Sequence, residues 1–364
     1  MTPILTSALY PVAFLLVLSV VVVIHEWGHF IVARLCGVKV DSFSFGFGKT
    51  IWSRVDKKGT EWKISVLPLG GYVKMFGDAD ASSARADEKT KDMTDEEKKV
   101  AFPFQPVWKK LAIIFAGPSM NYVFSIICMT VLFSIFGTYV IPPVVETVKK
   151  DSVAEKAGIL PKDRFLTVNG VEMKDFSDIR RIVQLDNDLH IVLERDGAVI
   201  EKDVTLSRDN GGGLLGITAS VPEETMKKLS VPEAFVESVT ETWHLTEDTV
   251  ALLKRIITGK RSADDMRGPL GIAEASGDAL RSGIFVFFLF IVQVSVGIGF
   301  VNLLPVPVLD GGQIVMYAIE GISGRPLNEK MQNIALVTGV ILLLSLLVLT
   351  LWNDIARIAQ RILG

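Results

Sequence analysis

The chain has 364 residues, of which 49% are hydrophobic and 22% charged, and its mean hydropathy is +0.40. The apolar residues are clumped, so this composition excludes an ordinary soluble domain and indicates membrane spans. The formal charge of −3 gives no basis for binding nucleic acid. The two cysteines are too few for a disulfide scaffold, and neither belongs to a CxxC zinc motif.

Four apolar stretches predict transmembrane helices, because about 20 apolar residues cross the hydrocarbon core of a bilayer. They cover approximately residues 12–35, 111–136, 284–304 and 334–352. The first is interpreted as a span and not as a cleaved signal peptide, since residues 1–24 contain no Lys or Arg. The predicted fold class is therefore a polytopic α-helical membrane protein.

The charged residues predict how the spans are oriented. Residues 37–110 contain 14 Lys and Arg against 11 Asp and Glu, whereas residues 141–283 contain 19 against 25. Positively charged loops tend to stay in the cytoplasm. We therefore expect the first long loop to be cytoplasmic, and the second long loop and both termini to lie outside.

The first loop contains two different segments. Residues 62–75 (WKISVLPLGGYVKM) predict an apolar β-hairpin that turns at residues 68–71. An open strand edge cannot face lipid, so the hairpin must pack on protein in or at the membrane. Residues 78–99 are rich in Asp, Glu, Lys, Ser and Ala and predict a mobile cytoplasmic loop.

The outer segment begins with a predicted small β-rich domain at residues 141–222. It contains short strand-like runs, one helical run at residues 176–184, and turn signals at Asn169-Gly170 and Asp196-Gly197. Residues 223–283 predict a helical connector outside the membrane. Residues 1–140 and 284–364 then form the two parts of a membrane core, each with two spans.

The motif His25-Glu26-Trp27-Gly28-His29 lies inside the first apolar stretch and matches HExxH. Positions i and i+4 share one helix face, so both imidazoles can bind one metal, with Glu26 beside it as a base. Ionisable groups are costly within a membrane and mark functional sites there. The alternative is that these side chains anchor the helix end at the lipid headgroups.

A catalytic zinc site normally has three protein ligands and leaves one position for water. His190 and His244 lie in the outer segment and are poor third ligands. Asp310 is the better candidate, because it is the only carboxylate between Arg281 and Glu320. It follows two prolines, which interrupt regular helix, and precedes two glycines, which permit close backbone approach. The alternative is a surface Asp-Gly turn.

Several motifs resemble those of the site-2 protease family of intramembrane zinc metalloproteases, in the bacterial branch that carries a PDZ domain. HEWGHF and NLLPVPVLDGG are similar to the two main motifs of that family. Four intervening motifs also match, namely FSFGFG, PLGGYVKM, AGPSMNYVFS and GPLGIAEAS. The outer domain resembles a single PDZ domain through SVAEKAGILPKDRFLTVNGV, although Lys162 stands where the family usually has glycine.

The resemblance implies that His25, His29 and Asp310 bind one Zn²⁺ per chain and that Glu26 is the general base. It implies substrates that are single-span membrane proteins, such as anti-sigma factors or signal-peptide remnants, first cut by an upstream site-1 protease. It also implies a multi-pass protein of the bacterial inner membrane. The PDZ domain is then extracytoplasmic and the active site lies near the cytoplasmic side.

The roles of other residues remain open from the sequence. Asn302 either donates a hydrogen bond to the developing oxyanion or caps backbone freed by Pro305. Asn121 either forms a hydrogen bond across spans or touches substrate. The PDZ domain either binds a new C-terminus or excludes bulky substrates. The predicted hairpin either pairs with unwound substrate or only packs on the spans, and its candidate residues are Pro68, Leu69, Gly70, Gly71, Tyr72 and Val73.

The favoured function is an intramembrane zinc endopeptidase, and the alternative is a non-catalytic scaffold that recruits partners through its PDZ domain. A scaffold would not require a base beside the histidines, so Glu26 discriminates between the two. A metal transporter is disfavoured, because only one metal site is visible along the spans.

Overall fold

The computed structural model describes residues 3–78, 90, 92–139, 141–206, 215–219, 226–259, 266–325 and 328–363. The helices are α1 Pro3–Leu35, α2 Asp95–Val100, α3 Val107–Phe136, α4 Val153–Lys156, α5 Phe176–Leu185, α6 Val231–Ile257, α7 Pro269–Arg281, α8 Ile284–Asn302, α9 Asp310–Ser323 and α10 Glu329–Leu363. The strands are β1 Val40–Val55, β2 Glu61–Met75, β3 Thr138–Tyr139, β4 Val145–Val148, β5 Arg164–Val168, β6 Val171–Glu172, β7 Asp188–Arg195, β8 Ala198–Thr205, β9 Ile217–Ala219 and β10 Met226–Lys227.

The chain divides into two compact units. The membrane unit comprises Met1–Met129, Ser238–Thr246 and Met266–Gly364. The β-rich unit comprises Thr130–Glu237 and Glu247–Asp265.

In the part of the chain that the structure describes, four helices are long and apolar enough to cross a membrane. Their apolar spans are Leu9–Leu35 in α1, Val107–Phe136 in α3, Ile284–Asn302 in α8 and Lys330–Gln360 in α10. The four predicted spans are therefore confirmed, and the chain is a multi-pass membrane protein. The fourth helix extends beyond the predicted residues 334–352 at both ends.

The predicted hairpin within residues 62–75 is wrong. Both β1 and β2 bend back on themselves, so that residues 42–45 of β1 lie between residues 71–74 and residues 61–64 of β2. The two halves of the proposed hairpin thus border the same strand and do not pair with each other. The turn that joins β1 to β2 falls instead at residues 56–60, where Gly59 has φ +83°.

This turn is attached to the end of α1. Arg34 pairs with Asp56 and donates a hydrogen bond to Thr60 Oγ1 at 2.9 Å. Desolvation opposes ionisation of Asp56, but hydrogen bonds from Arg34 and Trp62 hold its pKa well below the usual range. These contacts attach the β1–β2 sheet to α1, the helix that carries His25.

The end of the β1–β2 sheet farthest from this turn exposes large apolar side chains. Ile51 is 68% exposed, and Trp52, Val66 and Leu67 are each at least half exposed. Such a contiguous apolar rim is costly in water and marks a surface that meets lipid or another protein. These exposed apolar side chains therefore agree with the expectation that residues 62–75 lie in or at the membrane.

The predicted mobile loop at residues 78–99 is described only in part, because residues 79–89 and 91 lie outside the described residues. Its last residues form the first turn of α2. Thr94 and Glu97 make a capping box there, in which each side chain bonds the other's backbone N–H. No residue of α2 is buried, so this helix is stabilised locally.

The β-rich unit contains a four-stranded antiparallel sheet in the order β6-β5-β7-β8 and a separate β4–β9 pair. Its core includes Val145, Phe165 and Ile191, each no more than 1% exposed. Both predicted turns are two-residue hairpin loops with positive φ at each residue, at Asn169-Gly170 and at Asp196-Gly197. The predicted strands and the predicted helical run are confirmed.

Lys162 stands where the resembling family usually has glycine, and its backbone adopts a conformation that glycine favours. Its φ is +76°, in the left-handed region that favours glycine. The next residue, Asp163, is fully buried and accepts hydrogen bonds from Arg195 at 2.7 Å. These hydrogen bonds from the partly exposed Arg195 to the buried Asp163 hold the turn even though a lysine occupies the glycine position.

The motif GPLGIAEAS forms the start of α7, which packs within the membrane unit. Asp354 of α10 is fully buried and accepts hydrogen bonds from the backbone of Gly268 and Gly271, at 3.1 and 2.9 Å. A Cβ at Gly268 would lie 2.7 Å from both Asp354 Oδ2 and Thr350 O. Both glycines are therefore required for α7 to contact α10. At its other end α7 meets α1, where Tyr10 donates to Asp278 at 2.8 Å.

Candidate metal centre

The HExxH motif lies in the C-terminal half of α1. His25 and His29 are each 7% exposed, and their Nε2 atoms are 3.2 Å apart. One helical turn separates the two residues, which places both imidazoles on the same face of α1.

Asp310 approaches the histidines from α9. Its Oδ2 lies 3.0 Å from His25 Nε2, and its Oδ1 lies 3.6 Å from His29 Nε2. Oδ2 is buried without a hydrogen-bond partner among the described residues. One ligand atom from each of the three residues lies within 4.8 Å of the others. Two imidazoles and one carboxylate form the donor set of many catalytic zinc sites, so these residues fit that ion.

The backbone around Asp310 explains the sequence that precedes and follows it. Helix α8 ends at Asn302, a non-helical connection with two prolines follows, and Asp310 then begins α9. A Cβ at Gly311 would lie 2.3 Å from Leu303 O, and one at Gly312 would lie 2.2 Å from Val306 O. Only glycines fit where the chain folds back over itself to bring Asp310 to α1.

The orientation of His29 also fits a metal ligand. Its Nδ1 lies 2.9 Å from Ile113 O in α3 and donates a hydrogen bond to that carbonyl in the neutral tautomer. The lone pair of Nε2 is then directed at Asp310 and His25. Metal-binding histidines commonly donate their second ring N–H in this way, because the bond fixes the tautomer and the ring.

Gly117 is a functional residue that the sequence analysis did not single out. A Cβ at this position would lie 2.3 Å from His29 Nε2 and 2.9 Å from His25 Cε1. Gly28 similarly allows α1 to approach α3, since a Cβ there would lie 2.3 Å from Ala116 O. The sequence feature that could have indicated Gly117 is the Ala-Gly-Pro run within an otherwise regular apolar span.

We expect Gly117→Ala to weaken zinc binding strongly, because the added methyl group overlaps the imidazoles. Overpacking of this kind typically costs about 1–3 kcal/mol, and here it falls on the metal centre. The measurement is zinc content after dialysis of the purified protein. Gly297→Ala is the matched control, since a Cβ at that helical glycine of α8 meets nothing within 4 Å. Equal zinc retention by the two variants would contradict this role of Gly117.

Glu26 and Asn302 both border a cavity of about 240 Å³ beside the three metal-binding candidates. Glu26 Oε2 accepts a hydrogen bond from the backbone N–H of Val73 at 3.0 Å. Asn302 lines the same cavity, although a non-helical connection separates it from Asp310 along the chain. The cavity therefore combines a carboxylate base, an amide donor and three possible ligands.

The candidate substrate-binding residues occupy different positions. Val73 lines the cavity. Gly70 and Gly71 are buried against α1, where a Cβ on Gly70 would lie 3.0 Å from Val22, and Pro68 O accepts a hydrogen bond from Ser19 at 2.6 Å. Leu69 is 45% exposed, and Tyr72 stacks on Phe47. The strand thus runs along α1 towards Glu26.

Asn121 does not line the cavity. It is fully buried in α3, and its amide Nδ2 lies 3.4 Å from Nδ1 of His25. Of the two roles that the sequence left open, this placement favours a hydrogen bond across spans over contact with substrate.

Comparison with known proteins identifies the family. The sequence profile of peptidase family M50 matches residues 13–346. A protein of Agrobacterium fabrum named as a zinc metalloprotease is 38% identical, over 96% of each chain. Metalloprotease MmpA of Caulobacter vibrioides is 35% identical over 95% of each chain. The regulator of sigma E protease of Haemophilus influenzae is 28% identical, over 95% of this chain and 98% of the relative.

These matches span nearly the whole sequence and include every element that builds the cavity. The chain therefore belongs to peptidase family M50, the site-2 protease family, and is a metalloendopeptidase with a zinc cofactor.

Proposed function

We propose that this protein is an intramembrane zinc endopeptidase that cleaves single-span membrane proteins in regulated proteolysis, of the anti-sigma-factor or signal-peptide-remnant type. The observation that carries the proposal is the cavity among the spans in which His25, His29 and Asp310 converge beside Glu26. In this proposal the first three residues bind zinc and Glu26 is the general base.

The chemistry follows from these roles. Bound zinc supplies a Lewis acid that polarises the scissile carbonyl and lowers the pKa of water. Glu26 accepts the proton of the attacking water and returns it to the leaving amine. The Asn302 amide donates a hydrogen bond to the carbonyl oxygen as negative charge develops there.

Substrate must be locally unwound, because a helix hides its peptide bonds in internal hydrogen bonds. The segment at Gly71–Val73 offers a place for the unwound chain. Phe43 pairs with Val73 on one side of this segment, and on its other side the Val73 N–H faces Glu26 in the cavity. An extended substrate that adds to this edge would place its backbone beside the metal centre.

The β-rich unit is proposed to be a PDZ domain on the extracytoplasmic side. It contains a groove of about 750 Å³ whose apolar lining includes Phe176, Ile179 and Val183 of α5. The cations Lys149, Lys150 and Arg180 also line the groove. This combination favours binding of a peptide's C-terminal carboxylate, as left by an upstream site-1 protease, over a purely steric filter.

The orientation is part of the same proposal. We propose that the first loop lies in the bacterial cytoplasm, because basic residues exceed acidic ones there, and that the protein belongs to the inner membrane. The metal centre then lies near the cytoplasmic side, where water reaches it.

The function is tested by cleavage of a single-span substrate lacking its outer domain, with purified protein reconstituted in lipid. We expect removal of zinc by a chelator to abolish cleavage and added zinc to restore it, because the base alone cannot polarise the carbonyl. The control is a second single-span substrate whose transmembrane segment is an uninterrupted, Leu-rich helix. Its peptide bonds stay in internal hydrogen bonds, so it should be cut more slowly. Cleavage that persists in protein shown by elemental analysis to lack zinc would contradict the proposal.

A further inference from the structure

Asn121 lies in α3 where this helix contacts both α8 and α1. Its backbone carbonyl oxygen accepts hydrogen bonds from Ser125 Oγ at 2.7 Å and from Ser295 Oγ of α8 at 3.1 Å. All three residues are fully buried. Both hydroxyls bond only the backbone of Asn121, whereas its side-chain amide lies beside His25.

The side-chain amide of Asn121 has an unused acceptor. Nδ2 lies 3.4 Å from His25 Nδ1, and Oδ1 is buried without a hydrogen-bond partner in the part of the chain that the structure describes. Rotation of the amide by 180° exchanges its oxygen and nitrogen. After that exchange Oδ1 lies beside His25 Nδ1 and can accept a hydrogen bond from Nδ1–H.

The two histidines then have matching environments. His29 donates from Nδ1 to a backbone carbonyl, Ile113 O, and His25 donates from Nδ1 to the Asn121 side chain. In both rings the Nε2 lone pair is left for the metal. Only the partner of His25 is a side chain, so only this arrangement can be altered by a single substitution.

We propose that Asn121 is a positioning residue for the metal centre: its Oδ1 accepts the Nδ1–H of His25, fixes the tautomer and ring of that imidazole, and thereby sets the affinity for zinc. The inference rests on the proposed role of His25 as a ligand.

The test is zinc affinity of the full-length purified protein, measured by competition with a chromogenic chelator. Asn121→Leu removes the acceptor and is expected to weaken zinc binding by about 10–100-fold, as loss of a ligand's hydrogen-bond partner typically does. Asn121→Asp keeps an acceptor oxygen and is expected to retain the wild-type affinity. Ser125→Ala is the control, because it removes a neighbouring buried hydroxyl that contacts only the backbone of Asn121 and leaves Ser295 to bond it.

A second readout separates positioning from packing. The visible spectrum of the Co²⁺-substituted protein reports ligand geometry, and it should change in Asn121→Leu but not in Ser125→Ala. The melting temperature of the metal-free protein should be similar in both variants. Wild-type affinity in Asn121→Leu, or equal loss in the Leu and Asp variants, would overturn the inference.

Two further arms keep the result decisive. If Asn121→Leu does not fold, Asn121→Asp decides alone, since loss of zinc from a variant that keeps the acceptor contradicts the proposed role. His25→Ala is measured in parallel. If it retains wild-type affinity, the ligand set fails, whereas an unaffected Asn121→Leu beside a zinc-free His25→Ala refutes only the role of Asn121.

Discussion

Replacement of Glu26 by glutamine is expected to lower turnover of a single-span substrate by at least about 10²-fold, the lower end for loss of general-base help. Glutamine preserves the size of the side chain and can still accept the hydrogen bond from Val73. It cannot take a proton from water. Zinc should stay bound, because Glu26 is not one of the three proposed ligands.

The measurement is the cleavage rate of wild-type and variant protein at matched zinc content. Glu61→Gln is the control, since this carboxylate of β2 pairs with Lys63 and does not border the cavity. Uncut substrate should remain bound to Glu26→Gln and be recovered by crosslinking. A near-wild-type rate in the variant would refute Glu26 as the base. Failure of both proteins to cut any candidate substrate, with zinc bound, would favour the scaffold alternative.

Substitution of a proposed ligand should have the second large effect. His29→Ala and Asp310→Ala are each expected to lose the single bound zinc, because two remaining ligands fall short of the three that catalytic sites normally provide. Elemental analysis of the purified variants measures this loss directly. Activity should fall with zinc content.

His190→Ala is the matched control for these variants. His190 lies on β7 of the β-rich unit, is largely exposed, and pairs with Asp203 at 2.8 Å. Its substitution should leave one zinc per chain. Full zinc occupancy in Asp310→Ala would remove Asp310 from the ligand set and leave the third ligand to be found among the other cavity residues.

The sequence predicted those features that depend on local patterns. The spacing of His25 and His29 follows from helix geometry, and the isolation of Asp310 among apolar residues indicated a second chain segment at the same site. The two hairpin turns of the β-rich unit followed from Asn-Gly and Asp-Gly pairs, which tolerate positive φ. Length and hydropathy were sufficient for the four spans.

The β1–β2 sheet could not be predicted in the same way. The register between residues 42–45 and residues 61–64 depends on contacts that are remote in sequence, and the alternation of polar and apolar residues in both segments does not specify the partner strand. The Pro68–Gly71 run looked like a hairpin turn, yet it is a bend in a strand that continues past it. Residues 42–45, which precede this segment in the chain, therefore took the place of the local pairing.

Gly117 was missed, and the role of Asn121 was left open, for a related reason. Both belong to α3, and their roles depend on how α3 crosses α1. Without knowledge of where α3 crosses α1, the sequence shows only a glycine and an asparagine in an apolar helix. Their closeness to His25 is a property of the packed bundle.

The hydrogen bond from Val73 to Glu26 bears on which bonds this protease selects. A substrate that adds to the Gly71–Val73 edge is aligned by main-chain groups, which are the same for every amino acid. The cut would then fall at a fixed offset from the point of unwinding, whatever residues flank it. Substrates can diverge in sequence and remain cleavable, while a shift of the helix-breaking residue along the substrate moves the cut with it.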